Sequence, residues 1–513
     1  MSSTIDELVR LRADQDGDTP MVIDPTSRIS YRELDSTTRD LAATFIEAGV
    51  GKGTRVGLIM PNGARWVQIA IALTRIGAVL VPLSTLLTAA ELAAQLRTAS
   101  VQFLVSVEEF RGHRYLDDLA TLPRTELPAL RQLWPVNRLE NGCASRHVRD
   151  IIDPMTATVT PADPLVIMFT SGSSGSPKGV IHSHGNALGA VRSGLSARRI
   201  TSETRLYLPM PFFWVGGFGS GILSVLLAGA TLVTEEIPRP ETTLKLLEDE
   251  RVTLFRGWPD QAETLARHAG EVGADLSALG AGSLQALLPP ERRALPGARA
   301  TLFGMTEAFG PYCGYPADTD MPPSAWGSCG KPFPGMEVRI VDADSGAPMT
   351  AGATGMIQIR GPHTLRGICG RSREDLFTVD GFYPTGDLGH LDQDGFLFYH
   401  GRSDDMFKVS GATVYPSEVE SALRAIDGVD NAFVTNVPGA AGNRVGAVVV
   451  CRALTAERLR GPARTLLSAF KVPTVWLLLE SDDGVPRGGT GKVDIRRLRE
   501  MLVDQAQRTR VHG

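Results

Sequence analysis

Residues 170–179 read Thr-Ser-Gly-Ser-Ser-Gly-Ser-Pro-Lys-Gly and follow directly on the apolar run Leu165-Val166-Ile167-Met168-Phe169. A segment of this kind cannot bury an apolar face. Its glycines do let backbone N–H groups and hydroxyls wrap around an anion. The preceding run has the length and composition of a buried strand, so the loop is expected at a strand end. A Gly/Ser linker shares the composition, but a linker does not normally follow a strand and close in Pro-Lys-Gly. The Walker P-loop is excluded, because it requires Gly-x-x-x-x-Gly-Lys-Ser/Thr and here Pro177 precedes Lys178 while Gly179 follows it. The stretch reads as a phosphate cradle on a buried strand, which places the chain among α/β folds.

The surrounding sequence agrees. From Ile29-Ser30-Tyr31 a helical pattern runs through Leu41, Ala42, Phe45 and Ile46 to Gly49, and Val56-Gly57-Leu58-Ile59-Met60 then reads as a strand. Helix and strand alternate onward: 66–76, Val79-Leu80-Val81-Pro82, 89–98 and Phe103-Leu104-Val105. Such alternation predicts a parallel sheet with helices on both faces. Residues 109–161 carry weak periodicity and no readable chemistry. At 513 residues the chain exceeds one ordinary core, so at least two domains are expected. Beyond Asp405 the pattern changes to short strands and helices, including a capped helix over 417–425. A large domain over 1–402 and a small α+β domain over 403–513 follow.

Several function classes drop out. A net charge of −5 offers no basic field for nucleic acid. Cys143, Cys313, Cys329, Cys369 and Cys451 are far apart and lack metal-ligand spacing, as in a reducing, cytoplasmic compartment. The N-terminal Met-Ser-Ser-Thr-Ile-Asp-Glu carries acids where a signal peptide carries bases. Residues 212–234 contain acid-free, base-free sequence long enough to span a bilayer. The cluster Gly216, Gly217, Gly219 and Gly221 beside Trp214 and Phe218 instead suggests a buried loop and helix near a cavity.

Four further stretches carry chemistry. Phe212-Phe213-Trp214 followed by Gly216-Gly217 reads either as an apolar pocket wall with room for a ligand or as ordinary core. Phe303-Gly304-Met305-Thr306-Glu307 sets a hydroxyl and a carboxylate after the strand-like Ala300-Thr301-Leu302, where open sheets place ligands. In Thr385-Gly386-Asp387, one carboxylate has the two oxygens a ribose diol needs. Gly491-Lys492 sits in a second Gly-rich loop, which reads either as a cation presented to a phosphate or, on its own residues the better fit, as a solvated turn. His182 and His184 lack a third ligand and read as a packing and hydrogen-bonding pair.

Taken in order, 170–179, 303–307, Thr385-Gly386-Asp387, Gly401-Arg402-Ser403-Asp404 and Gly491-Lys492 resemble the ANL superfamily of adenylate-forming enzymes, which includes acyl-CoA synthetases. The resemblance spans nearly the whole chain and implies the ANL fold: parallel sheets plus a distorted β-barrel, with a mobile C-terminal domain. It also implies an AMP-forming acid–thiol ligase that uses ATP, Mg2+ and CoA on a fatty or aryl acid. Carried over by position, Thr170, Ser171, Gly172, Ser173, Ser174, Gly175 and Lys178 would hold the β- and γ-phosphates, and Glu307 would hold Mg2+. Thr306 would meet the α-phosphate, Asp387 and Arg402 the ribose. Lys492 would stabilise the adenylation transition state, Asp404 would be the hinge, and Lys408 and Gly411 would line the pantetheine channel. Phe213, Trp214, Gly217, Trp258, Gly282 and Met305 would form the acyl pocket.

Departures from the family pattern shape the expected substrate. Relatives often have Tyr where Phe303 stands and His where Trp214 stands; an indole is bulkier and cannot act as a base. No Asp in Phe212-Phe213-Trp214 awaits an α-ammonium, which disfavours amino acids. A carrier protein or an amine as acceptor, an inactive nucleotide- or acyl-binding protein, and a homodimer remain open from sequence alone.

Overall fold

The computed structural model describes residues 3–139, 145–170, 178–403, 405–409, 412–439, 442–488 and 491–511. It divides into two compact units, Met1–Val338 with Ile359–Tyr383, and Arg339–Gln358 with Pro384–Gly513. This division describes packing. The expected hinge at Asp404 lies outside the described residues.

In the first unit the expected alternation becomes a seven-stranded sheet ordered Gly367–Ile368, Lys178–Ser183, Pro164–Thr170, Val79–Pro82, Arg55–Ile59, Phe103–Ser106 and Gln132–Pro135. The five strands from Pro164–Thr170 to Gln132–Pro135 pair in parallel. Pro164–Thr170 and Lys178–Ser183 instead form an antiparallel pair. The central strands are buried from end to end apart from Arg55, which is why they read as apolar runs. The helices begin where local chemistry dictates: Ser30 and Glu33 form a reciprocal cap on Tyr31–Glu47, as Thr88 and Glu91 do on Ala89–Thr98. A second sheet of five strands is ordered Leu254–Phe255, Arg205–Tyr207, Thr231–Val233, Pro20–Asp24 and Ser27–Ser30.

The uncharged stretch at 212–234 is buried within this unit. Gly216–Leu223 forms a wide, π-helical segment that runs into a short helix, Ser224–Ala228, and then the strand Thr231–Val233. Trp66 packs edge-on against Phe212 and Phe218, with ring centroids 5.3 and 5.9 Å apart, and ties the segment to the helix Ala64–Arg75. No described helix is long and apolar enough to cross a membrane.

Arg75, at the end of that helix, is fully buried. Its guanidinium lies 2.6 Å from Asp6 and 2.8 Å from Asp35 and also donates to Thr38 Oγ1 at 2.8 Å, joining three helices. Removing one member of a buried pair leaves the other charge desolvated. Arg75→Met is therefore expected to destabilise this unit by about 3–5 kcal/mol, measured as a lowered urea midpoint; an unchanged midpoint would show that Asp6 rehydrates freely.

The second unit holds a four-stranded sheet ordered Glu337–Val341, Gly355–Arg360, Tyr383–Leu391 and Leu397–Arg402. A separate three-stranded sheet is ordered Phe303–Met305, Gly310–Gly314 and Lys331–Pro332. The α+β pattern read beyond Asp405 is present. A long hairpin, Val429–Gly439 with Gly442–Cys451, pairs in parallel with Val475–Leu479 and packs against helices Pro416–Arg424, Ala456–Leu466 and Ile495–Val511. The helix expected from Ser417 begins one residue earlier, because Pro416 supplies the first helical φ. It has no side-chain cap, and Ser417 Oγ donates instead to the carbonyl of His400 at 2.6 Å.

Candidate active site

The two described ends of the cradle face each other. Thr170 and Lys178 are register partners across the antiparallel pair, so a hydroxyl and an ammonium flank the mouth of the loop. Ser171, Gly172, Ser173, Ser174 and Gly175 lie outside the described residues. The strand leaving the loop is held on its other edge by Cys369 N donating to Gly179 O at 2.9 Å and Arg366 N to Ile181 O at 2.8 Å.

The same strand reaches the second motif through His182, which is fully buried. Its Nδ1 lies 2.7 Å from Asn186 Nδ2, which can only donate, so its Nε2 carries the proton and donates to the carbonyl of Thr306 at 2.7 Å. His184 is equally buried, its Nδ1 accepting from Ile5 N at 3.3 Å. Both rings hydrogen-bond in the interior, as the sequence reading of a packing and hydrogen-bonding pair expects. Burial pushes both imidazoles down to about 4. Both folded values lie below the unfolded value of about 6.5, so stability rests on the neutral rings above that pH and is lost as pH falls toward 4. At pH 5 the cost is roughly 2 kcal/mol per ring. The urea midpoint is expected to fall between pH 7.5 and 5 and to fall less in His182→Gln; parallel pH profiles for the two proteins would contradict this assignment.

Thr306 and Glu307 sit in a single tight turn, Thr306–Ala308, between antiparallel strands Phe303–Met305 and Gly310–Gly314. This corrects the expected placement: the strand starts at Phe303 rather than Ala300, and the carboxylate caps an antiparallel turn instead of a parallel sheet edge. The turn closes because Phe309 and Gly310 take φ of 54° and 117°. Glu307 is 8% exposed and accepts a hydrogen bond from the Tyr383 hydroxyl at 3.3 Å. Its own carbonyl accepts from Leu365 N at 2.7 Å. Tyr383 escapes a reading of the sequence because it lies 76 positions away. Among the described residues no group of three or more His, Cys, Asp or Glu could cage a metal. One carboxylate on a rigid turn suits Mg2+, which keeps waters and shares its sphere with phosphates.

The aromatic wall is assembled. Trp214 packs edge-on against both Phe213 and Trp258, with centroids 6.1 and 6.0 Å apart. Phe213 is buried, while Trp214, Trp258 and Met305 are each partly exposed. Gly282, at φ 96°, lies beside Ala317 and Arg256. The reading of Gly217 as ligand space is corrected: a Cβ there would stand 2.1 Å from the carbonyl of Pro211. That glycine permits a backbone crossing, while a Cβ at Gly216 would stand 2.7 Å from Met210 Sδ.

In the second unit, Asp387 and Arg402 are register partners on Tyr383–Leu391 and Leu397–Arg402. Arg402 Nη1 donates to Asp387 Oδ1 at 3.2 Å and to the Thr385 carbonyl at 2.8 Å, and Ser403 N donates to Gly386 O at 2.8 Å. Gly386 is required at this approach, since at φ 76° a Cβ would stand 2.8 Å from Arg402 Nη2. Lys408 is exposed on Phe407–Val409, while Gly411 lies outside the described residues. Lys492 is exposed in a turn closed by Gly488 N donating to Lys492 O at 2.8 Å, with Gly491 at φ 77°.

The profile of the family described as AMP-binding enzyme matches residues 9–369. A 3-[(3aS,4S,7aS)-7a-methyl-1,5-dioxo-octahydro-1H-inden-4-yl]propanoyl:CoA ligase of Mycobacterium tuberculosis is 32% identical, covering 97% of this chain and 98% of that protein. A feruloyl-CoA synthase of an Amycolatopsis species is 30% identical over 91% of this chain and 94% of its own. The crystal structure of an anthranilate CoA ligase in complex with anthranoyl-AMP superposes with a TM-score of 0.81 at 22% identity, covering 99% of this chain and 100% of the other.

Proposed function

Because the chain belongs to the AMP-binding enzyme family and is an ATP-dependent, AMP-forming carboxylic acid:CoA ligase, we propose the following roles for its residues. A carboxylate oxygen of the acid attacks the α-phosphorus of ATP and expels pyrophosphate. The CoA thiolate then attacks the acyl carbon of the mixed anhydride and releases AMP. Charge accumulates on phosphoryl oxygens in the first step, so catalysis there rests on positioning and on cations.

Thr170, Lys178 and the loop between them hold the departing pyrophosphate, and Thr306 orients the α-phosphate. Glu307 would hold Mg2+, which supplies charge neutralisation when bound. Asp387 accepts from the ribose diol, with Arg402 fixing its orientation. The C-terminal residues from 403, turning about Asp404, carry Lys492 to the reacting phosphate for the first step and Lys408 toward CoA for the second. The observation that carries this reading is the clustering of the cradle strand and the Thr306–Glu307 turn through one hydrogen bond of His182. Trp214 and Trp258, packed edge to face, favour an acid with a flat or alicyclic body. The relatives act on an alicyclic dioxo acid and, by name, a feruloyl group, in agreement with such a pocket. Incubation with ATP, Mg2+, CoA and a panel of aryl, alicyclic and fatty acids is expected to yield AMP and an acyl-CoA, detected by mass. Pyrophosphate release without a CoA thioester from any acid would sink the assignment of CoA as acceptor.

A further inference from the structure

Arg256 follows the strand Leu254–Phe255, at its C-terminal end and two residues before Trp258. Its Nη2 donates at 3.3 Å to the carbonyl of Arg198, and its Nε is shielded from solvent without a partner. It forms no ion pair among the described residues, and burial alone pushes it down to about 10. The neighbouring positive charge is buried: Arg198 is 5% exposed and, among the described residues, donates to the carbonyls of Gly194 and Val191, at 3.2 and 3.0 Å. Arg256 in turn helps lower Arg198, so the two charges feel each other. Arg256 is itself partly exposed, but its Nε is shut off from water and, among the described residues, the side chain faces no carboxylate, which leaves a donor open to an incoming acceptor.

Its surroundings say where that acceptor comes from. Arg256 Nη2 lies 3.4 Å from where a side chain at Gly282 would begin, and Trp258 packs against Trp214 at 6.0 Å. Gln261 Oε1, also buried without a partner, lies 3.2 Å from the corresponding point at Gly257. The Gln261 amide can turn over to present its NH2 instead. Arg256 thus lies beside Gly282, and Gln261 beside Gly257, the residue before Trp258.

We propose that Arg256, with Gln261 at the adjoining Gly257, binds an oxygen acceptor at the far end of the acyl group, so that the preferred acid carries a ketone or a second carboxylate distal to the carboxyl that is activated. This rests on the acyl pocket proposed above. Planar fork geometry lets one guanidinium serve either group, and a site built to donate hydrogen bonds rejects an analogue lacking the acceptor.

The test compares 3-phenylpropanoate, 3-(4-acetylphenyl)propanoate and 3-(4-carboxyphenyl)propanoate with the full chain by ATP–pyrophosphate exchange, which reports adenylation without any acceptor. The acetyl or carboxyl acid is expected to exceed the plain acid in kcat/KM at least tenfold, and whichever arm is faster identifies the group. Arg256→Met is expected to lower that acid about 100-fold while leaving the plain acid within about threefold. Preference of the unaltered chain for the plain acid would overturn the proposal, as would equal losses on all three. Thermal protection separates this from the ligase reading. If no acid supports exchange, that reading fails, yet a melting shift given by the oxygen-bearing acid and absent with the plain acid still supports the Arg256 site; equal shifts refute it.

Discussion

Lys492→Ala is expected to slow acyl-adenylate formation by about a hundred- to a thousand-fold while ATP affinity stays within about threefold. The ammonium is exposed, sits on a turn held by Gly488 and Gly491, and forms no ion pair among the described residues. An exposed cation of this kind adds little to binding ATP in the ground state. It contributes once it meets charge developing on the α-phosphate, and an interaction made only in the transition state appears in kcat and not in affinity. The partial reactions separate the alternatives. Thioester formation from a supplied acyl-adenylate should survive the substitution, since no phosphoryl charge develops in that step. Equal loss of ATP affinity and turnover would show instead that Lys492 is a binding residue.

What could be read before the structure follows from the range of each interaction. The strands Val79–Pro82 and Phe103–Ser106 and the helix Ala89–Thr98 are legible because burial and capping write themselves into neighbouring positions. Gln132–Pro135 is not, because it is a four-residue edge strand buried only at Trp134, and its pairing with Phe103–Ser106 is set by the sheet. The start of Phe303–Met305 also escapes, since its register depends on a turn whose closure needs positive φ at Phe309, a non-glycine. Gly217 shows the converse error: glycine beside aromatics signals open space or a tight backbone crossing equally well, and only the Pro211 carbonyl decides. For the site, residue types announce the chemistry, as Lys178, Glu307 and Asp387 do. Their supports do not. His182, Asn186 and Tyr383 act across long stretches of chain, and nothing local distinguishes them from core.

Those supports make Glu307 the second test of large effect. Glu307→Gln keeps the shape of the side chain and an oxygen that can still accept from the Tyr383 hydroxyl, so the turn and its bonds to His182 and Leu365 should persist. Only the negative charge is removed. Adenylation at saturating ATP is expected to fall by about a hundred- to a thousand-fold, with a higher Mg2+ concentration needed for half-maximal rate. Tyr383→Phe leaves the charge but frees the carboxylate to rotate, so the expected loss is smaller, about tenfold, with the same Mg2+ optimum. The two variants thus distinguish charge from orientation. A Glu307→Gln protein that exchanges pyrophosphate with the unaltered Mg2+ dependence would remove Glu307 from the ion's coordination and leave it as a structural acid of the turn.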